Sequence, residues 1–181
     1  MKQEYIITVF SEDHIGLLSR LTIVFTRRKI NIDSLTVSES AIAGIFKFTV
    51  VINETADRVQ KVVAQLEKIV DVIKVYSNTN DEMIYQEIAL YKVSTEFLFE
   101  SDKVEKIVRN SGARILEITR EYVVIEKTGH SRETQQLFEE LNSTYGVTQF
   151  NRSGRVAITR SNIERLSEFL KERDAMLEQI D

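Results

Sequence analysis

The chain of 181 residues contains no cysteine, no proline and no tryptophan, and it has only two histidines. Without cysteine it can form no disulfide, no thiolate metal site and no thiolate nucleophile. Two histidines cannot supply a zinc centre with three histidine ligands, and a catalytic triad would depend on one of them. An average proline content of about 5% would place about nine prolines in a chain of this length. The missing cysteines and histidines therefore exclude many classes of enzyme, whereas the missing prolines point to no function.

Charge and hydropathy argue against two classes of partner. The chain has 24 basic and 28 acidic residues, so its formal net charge is −4, whereas a nucleic-acid-binding face is usually strongly basic. No apolar run reaches the roughly 18 residues of a membrane span, and no signal-peptide pattern opens the chain. We therefore expect a cytoplasmic protein that binds neither nucleic acid nor membrane.

The periodicity of apolar residues predicts a βαββαβ order for the first half of the chain. Apolar residues at helical spacing predict two helices, one from Ile15 and one around Val59. The second strand changes its alternation near Asp33, which we interpret as a β-bulge. The runs that predict the four strands are 5–10, 30–38, 45–52 and 70–76.

The same order recurs after a polar stretch at 77–82, which we interpret as a linker. Two helices are predicted around Val104 and Leu137, and the predicted strands are 84–93, 113–118, 122–126, 147–150 and 155–158. The expected fold class is α+β, with two ferredoxin-like βαββαβ domains and a C-terminal helix. We place the first domain at 1–78, the second at 79–160 and the helix at 161–181.

The C-terminal segment has the pattern of an amphipathic helix. Ser161 at the N-cap and Glu164 three residues later form a capping-box pattern. The apolar residues that then share one helix face are Ile163, Leu166, Leu170, Leu177 and Ile180. Such a face needs a surface to cover. We favour packing against the second domain, and docking on a partner protein is the alternative.

Neither histidine has the neighbours of a catalytic or metal site. His14 lies beside two acidic residues, but no second histidine is near it in sequence. We interpret His14 and His130 as residues at the starts of helices. The βαββαβ order also occurs in RNA-recognition domains, but here Ala43 replaces the basic residue of their third strand. Phe46 and Phe48 of that strand fit a core face equally well.

The loop at 11–16 is the most informative segment for function. It joins the first strand to the first helix, and Gly16 lies in the first turn of that helix. Free backbone N–H groups at a helix N-terminus attract a carboxylate, and glycine lets a ligand approach closely. Asp13 could accept hydrogen bonds from an ammonium group. A small zwitterion with an apolar side chain would match this chemistry. From the spacing alone, however, the simpler interpretation that Ser11 or Asp13 is the N-cap is favoured, because such loops are common.

Two motifs resemble those of a known family. Residues 16–20 (GLLSR) followed by 31–37 (NIDSLTV) are similar to the regulatory small subunit of acetolactate synthase, also called acetohydroxyacid synthase. Later matches at 66–75, 87–93 and 152–157 follow in the expected order. The GLL triplet alone occurs in many amino-acid-sensing ACT domains, whereas its combination with NIDSLTV is characteristic of this family.

The resemblance implies an N-terminal ACT domain, a second ferredoxin-like domain and a non-catalytic role. It implies that the chain activates a large catalytic subunit, which holds thiamine diphosphate, Mg²⁺ and FAD, so that this chain needs no cofactor of its own. It also implies a homodimer through the ACT domains and feedback inhibition by a branched-chain amino acid, usually valine. The family's effector site corresponds here to Asp13, Gly16 and Leu17 of one chain and to Asn31 and Ile32 of its neighbour.

Two residues depart from the family pattern. Asp13 stands where many members have asparagine, and an aspartate can accept hydrogen bonds but cannot donate them. Lys29 stands where a glycine often precedes the second strand. The sequence leaves two other functions open: a stand-alone double-ACT amino-acid sensor and an acylphosphatase-like hydrolase, although no clustered catalytic set supports the hydrolase.

Overall fold

The chain divides into two compact units. The computed structural model describes residues 1–96, 103–163 and 165–178. The first unit comprises Met1–Ile84 and Ala157–Asp181, and the second comprises Tyr85–Val156. The domain boundaries placed from the sequence at 78/79 and 160/161 stay predictions.

The first unit is a four-stranded antiparallel sheet with two helices on one face. Its elements are β1 (Gln3–Glu12), α1 (Leu17–Arg27), β2 (Ser34–Glu39), β3 (Ile45–Glu54), α2 (Ala56–Leu66) and β4 (Val72–Thr79). The strand order across the sheet is β2-β3-β1-β4. Each helix therefore joins two strands that are consecutive in sequence but separated in the sheet by a third strand, which is the ferredoxin-like arrangement expected from the βαββαβ pattern.

Burial follows the two periodicities in the sequence. Alternate residues of β1, among them Ile7 and Val9, face the helices. On α1 every fourth residue is buried, at Leu17, Leu21 and Phe25, which is the apolar stripe of a surface helix. The other buried members of this core are Tyr5, Ile30, Phe48, Val50, Ile52, Val59, Val62, Leu66 and Val75. Each large side chain buried there contributes roughly 1.5–3 kcal/mol of transfer free energy. Phe48 thus belongs to the core and not to an RNA-binding surface.

The second unit repeats this topology. The elements after β4 are β5 (Met83–Ser94), α3 (Lys103–Asn110), β6 (Arg114–Ile118), β7 (Tyr122–Gly129), α4 (Ser131–Tyr145), β8 (Val147–Arg152), β9 (Val156–Thr159) and α5 (Arg165–Glu178). The second sheet has the order β6-β7-β5-β8, with β9 also pairing with β5. The buried core of this unit is formed by Ala89, Tyr91, Val93, Val104, Val108, Val123, Ile125, Leu137 and Leu141. The expected α+β class with two ferredoxin-like units and a C-terminal helix is confirmed.

The polar stretch at 77–82 is not an open linker. β4 extends through Thr79, and one 3-10 turn at Asn80–Glu82 leads into β5. Glu82 accepts a hydrogen bond of 2.8 Å from the backbone N–H of Thr79. The polarity of residues 77–82 therefore reflects a capped turn at the sheet edge and not a flexible connection.

The β-bulge expected near Asp33 lies where the strand begins. The Asp33 N–H donates to the Val51 carbonyl at 2.9 Å, and Val51 is also the register partner of Ser34, so two residues oppose one. β2 begins only at Ser34 and pairs with β3 without a shift in register. Ile30 is buried and Ile32 packs against the same core, but both precede the strand. The change in alternation therefore marks the place where the strand begins. The register does shift elsewhere in this sheet, between Phe10 and Ser11 opposite β4.

The expectation that the C-terminal helix packs on the second domain is wrong, because α5 belongs to the first unit. Leu166 is almost completely buried, and the hydroxyl of Tyr76 on β4 donates a 3.1 Å hydrogen bond to the Arg165 carbonyl. Ser161 accepts from the backbone N–H of Ile163 at 3.2 Å. The predicted residues Glu164 and Ile180 lie outside the described residues, and so does the side chain of Leu177.

Candidate functional site

The loop between β1 and α1 ends in a glycine with a left-handed backbone. Gly16 has φ 83° and ψ −1° and is the N-cap residue of α1. No side chain makes a capping hydrogen bond there, and the first helical turn contains no acidic residue. A Cβ added to Gly16 would meet no atom within 4 Å. The N-terminus of α1 carries the positive end of the helix dipole, and no side chain competes with a ligand for its N–H groups.

A cavity of about 230 Å³ opens at this helix start. Three of the predicted site residues, Asp13, Gly16 and Leu17, line it together. Asp13 is exposed and Leu17 is buried, so the cavity combines a carboxylate, helix N–H groups and an apolar wall. Its remaining lining residues are Glu12, His14, Leu18, Val37, Phe46 and Phe48. The sequence motif did not indicate Val37 or Phe46, which reach the cavity because β2 and β3 pair beside it.

The two other predicted site residues lie outside this cavity. Asn31 donates a hydrogen bond of 2.9 Å from Nδ2 to Asp33 Oδ1, and Ile32 packs against the first core. Both lie in the connection between α1 and β2. Their predicted role is toward the effector cavity of a neighbouring chain, and it stays a prediction.

One carboxylate anchors the loop and the helix together. His14 Nδ1 donates to Asp71 Oδ1 at 2.7 Å, and the guanidinium of Arg20 on α1 pairs with the other oxygen. The hydrogen bond from His14 and the nearby Arg20 cation hold the pKa of Asp71 below its usual value, against the opposing effect of burial. Sequence reasoning missed Asp71 because 57 residues separate it from His14, and no local pattern marks such a pair.

The rim of the cavity exposes apolar side chains. Ile15 is fully exposed, and Leu18 and Val37 are 44% and 43% exposed. β2 is an edge strand of its sheet, so its backbone groups are available to another chain. Apolar side chains and an edge strand around one cavity are features of a surface that pairs with another protein.

The histidines have structural roles. His14 holds the loop to Asp71, as described above. His130 is the N-cap residue of α4, where its backbone N–H donates a 2.7 Å hydrogen bond to Glu133 Oε2. Among the residues that the structure describes, no group of three or more His, Asp or Glu side chains is placed to hold a metal ion.

Comparison with known proteins assigns both units to one family. Residues 7–74 match the model of the "AHAS small subunit-like ACT domain", and residues 86–161 match that of the "small subunit of acetolactate synthase". The chain belongs to this family. The loop at 11–16 lies within the first matched range, whereas α5 follows the second one.

Individual relatives agree with this assignment. The acetolactate synthase small subunit of Bacillus subtilis is 32% identical over 163 residues, which cover 90% of this chain and 94% of the relative. That of Mycobacterium leprae is 31% identical over 154 residues, covering 85% and 90%. The crystal structure of the small subunit from Thermotoga maritima superposes with a TM-score of 0.79 at 25% identity, covering 89% of this chain and 99% of that one.

The described part of the chain contains no helix long and apolar enough to cross a membrane.

Proposed function

We propose that this chain is the regulatory, non-catalytic small subunit of an acetolactate synthase. In this role it binds a large catalytic subunit, raises that subunit's activity and confers inhibition by a branched-chain amino acid. The family assignment supports the partnership. The observation that supports regulation is the cavity at the start of α1, where Asp13, Gly16 and Leu17 lie together.

The cavity offers separate contacts for each part of a zwitterionic amino acid. Backbone N–H groups in the first turn of α1 would receive the carboxylate, because a helix N-terminus favours an anion. The N–H of Leu17 is not one of them, since it donates to the His14 carbonyl at 3.2 Å. The Asp13 carboxylate would accept hydrogen bonds from the ammonium group. Leu17, Val37 and Phe46 supply an apolar wall for a short branched side chain. Valine is the effector that we propose first, with leucine and isoleucine as competitors.

A second copy of this chain completes the proposed site. Pairing of two ACT units would cover the exposed Ile15, Leu18 and Val37 and would bring Asn31 and Ile32 of one chain toward the cavity of the other. An effector bound between two chains stabilises the paired arrangement that it contacts. By linkage, that arrangement must then be the one that stimulates the catalytic subunit less.

We assign the reaction chemistry to the large subunit. Thiamine diphosphate, Mg²⁺ and FAD would be bound there, and this chain would supply no cofactor ligand. The cytoplasmic location expected from the sequence stays a prediction.

Reconstitution tests this proposal directly. The purified chain is added to an acetolactate synthase large subunit from the same source, supplied with thiamine diphosphate, Mg²⁺ and FAD, and valine, leucine and isoleucine are titrated separately. We expect the chain to raise acetolactate formation and one of the three amino acids to lower it again. Failure to bind or stimulate the large subunit would favour a stand-alone amino-acid sensor, and turnover by the isolated chain would show an enzyme.

A further inference from the structure

A second cavity, of about 290 Å³, lies on the other face of the first sheet. Thr8 and Phe10 of β1 line it, whereas Ile7 and Val9 face the helices, so strand alternation places this cavity on the face opposite α1 and α2. Ile158 and Thr159 of β9 line it too, together with Ser161, Asn162, Ile163 and Arg165. All of its lining residues belong to the first unit. It is therefore separate from the cavity at the start of α1.

A buried asparagine lines this cavity. Asn78 on β4 is 3% exposed, and its Nδ2 donates to Glu82 Oε2 at 3.2 Å. That bond fixes the orientation of the amide, because a carboxylate can only accept. Hydrogen bonds, the largest from the backbone N–H of Thr79 and the next from Asn78, hold the pKa of Glu82 below its usual value. In the described part of the chain, Asn78 Oδ1 has no hydrogen-bond partner and is out of reach of solvent. A ligand donor therefore reaches this oxygen only with a small shift of the Asn78 side chain, and pairing the unsatisfied acceptor favours that shift.

Two cationic side chains line the same cavity. Lys47 on β3 donates from Nζ to the Ala157 carbonyl at 2.6 Å. The Arg165 guanidinium lies over the Tyr76 ring, 5.5 Å from its centroid. A lysine or arginine contact with a carboxylate is charge-assisted and stronger than a neutral hydrogen bond. The cavity therefore favours a ligand with one anionic group.

The remaining wall is largely apolar. Phe10 and Tyr76 meet edge to face with ring centroids 6.3 Å apart, and Met83 and Ile158 also line the space. A volume of about 290 Å³ is at the lower end of the range for small-molecule pockets. The ligand that fits is small and has a short apolar part.

We propose that this cavity binds a small carboxylic acid whose α-carbon bears a hydrogen-bond donor, either an α-amino or an α-hydroxy acid with a short apolar side chain. The carboxylate contacts Lys47 and Arg165, the α-ammonium or α-hydroxyl donates to Asn78 Oδ1, and the side chain packs against Phe10. Because Arg165 of α5 lines the cavity together with Asn162 and Ile163, a bound ligand also stabilises the docked position of α5 by mass action.

The test is calorimetric titration of the full chain carrying Gly16→Asp. This substitution blocks the effector cavity of the proposed function, so that ligand binding there does not contribute to the measured heat. Four probes with the same branched side chain are compared. L-leucine and 2-hydroxy-4-methylpentanoate have both groups, 4-methyl-2-oxopentanoate lacks the α donor, and 3-methylbutylamine lacks the carboxylate. We expect one or both of the first two to bind with one site per chain, and each of the last two to bind at least tenfold more weakly.

Variants then locate the site. Asn78→Leu replaces the buried amide with an apolar group of similar size, and we expect at least a tenfold loss of affinity. Arg165→Gln, at a half-buried position, provides the same test if Asn78→Leu does not fold. Asn110→Leu, an exposed position on α3, is the matched control and should leave binding unchanged. Absence of binding by both complete probes, or affinity unchanged in both Asn78→Leu and Arg165→Gln, would overturn the proposal without affecting the effector site at Gly16.

Discussion

At the scale of single residues, Gly16 links backbone geometry to regulation. Its φ of 83° favours glycine, but the space around a Cβ is open, so a substitution strains the backbone without a clash. Gly16→Asp places a negative charge at the helix N-terminus, where the proposed effector carboxylate binds. We expect inhibition by branched-chain amino acids to be lost while activation of the large subunit is kept, measured as acetolactate formation with and without the amino acid.

Gly44 offers a matched control for this substitution. It has φ 76°, and a Cβ there also meets no atom within 4 Å, but it lies in the connection between β2 and β3 and does not line the cavity. Gly44→Asp introduces the same charge and a similar backbone strain, roughly 1–2 kcal/mol for a left-handed residue with a side chain. Equal loss of inhibition in both variants would show that strain, and not the site, is responsible.

Lys29, the second departure from the family pattern, has a left-handed backbone conformation that is unfavourable for a residue with a Cβ. It has φ 53°, and it is the one residue other than glycine with positive φ in the described part of the chain. Its N–H bonds to the Thr26 carbonyl at 3.0 Å and that of Ile30 bonds to Phe25 at 3.0 Å. This is the Schellman pattern of a helix C-terminus, which usually has glycine at this position. Ile30 and Phe25 are both buried, as the motif's apolar contact requires.

We therefore expect Lys29→Gly to stabilise the protein by about 1 kcal/mol, because glycine adopts the left-handed conformation without a steric penalty. The measurement is the free energy of unfolding in urea. Lys29→Ala is the control, since it removes the charge and the long side chain but keeps the Cβ. A comparable gain from alanine would attribute the effect to the side chain and contradict the backbone explanation.

At the scale of elements, α5 is fixed to the first unit by one deeply buried residue. Leu166 is 1% exposed, and replacing a fully buried leucine by alanine costs about 2–5 kcal/mol when the cavity stays open. We expect Leu166→Ala to release α5 and to speed proteolytic cleavage within 165–178, measured by limited digestion. Glu168→Ala, at an exposed position of the same helix, should digest like the unsubstituted chain. Unaltered cleavage in Leu166→Ala would show that other contacts hold the helix.

The elements also show what periodicity can and cannot predict. Every strand and helix expected from the apolar pattern has a counterpart in the described structure, because burial on one face imposes a period of 2 or 3.6 on any sequence. The start of β2 was missed because Ile30 and Ile32 are apolar for a different reason. They follow the end of α1 and pack against the core before the strand begins. The surface that α5 covers was also not predictable, since an apolar helix face does not specify which surface buries it.

At the scale of the whole molecule, four carboxyl groups make stability depend on pH. Hydrogen bonds hold the pKa of each below its ordinary value in the folded chain, although burial opposes the shift. The groups and the largest contributor to each are Glu54 with Lys2, Asp71 with His14, Glu82 with the backbone N–H of Thr79, and Glu126 with Thr128.

A lowered folded-state pKa means that the unfolded chain binds protons first as pH falls. The stabilisation is therefore complete above the unfolded-state values, near pH 4–4.5, and is lost as pH falls through the lower folded-state values. We expect the free energy of unfolding in urea to be flat at neutral pH and to decrease below about pH 4.5. Glu54→Gln should reduce this slope, whereas Glu168→Gln should not. A stability that does not change down to pH 3 would contradict the ion-pair geometry.

The sequence by itself determined the class of fold, the two βαββαβ units and the loop that contains Gly16. These follow from local periodicity and from short motifs, whose residues are close in the chain. Only the tertiary structure brought Asp71 to His14, placed Val37 and Phe46 beside Gly16, and covered the far face of the first sheet with the segment after β9. Those contacts join residues that are distant in sequence, and the packing that selects them is a property of the whole first unit and of no single segment.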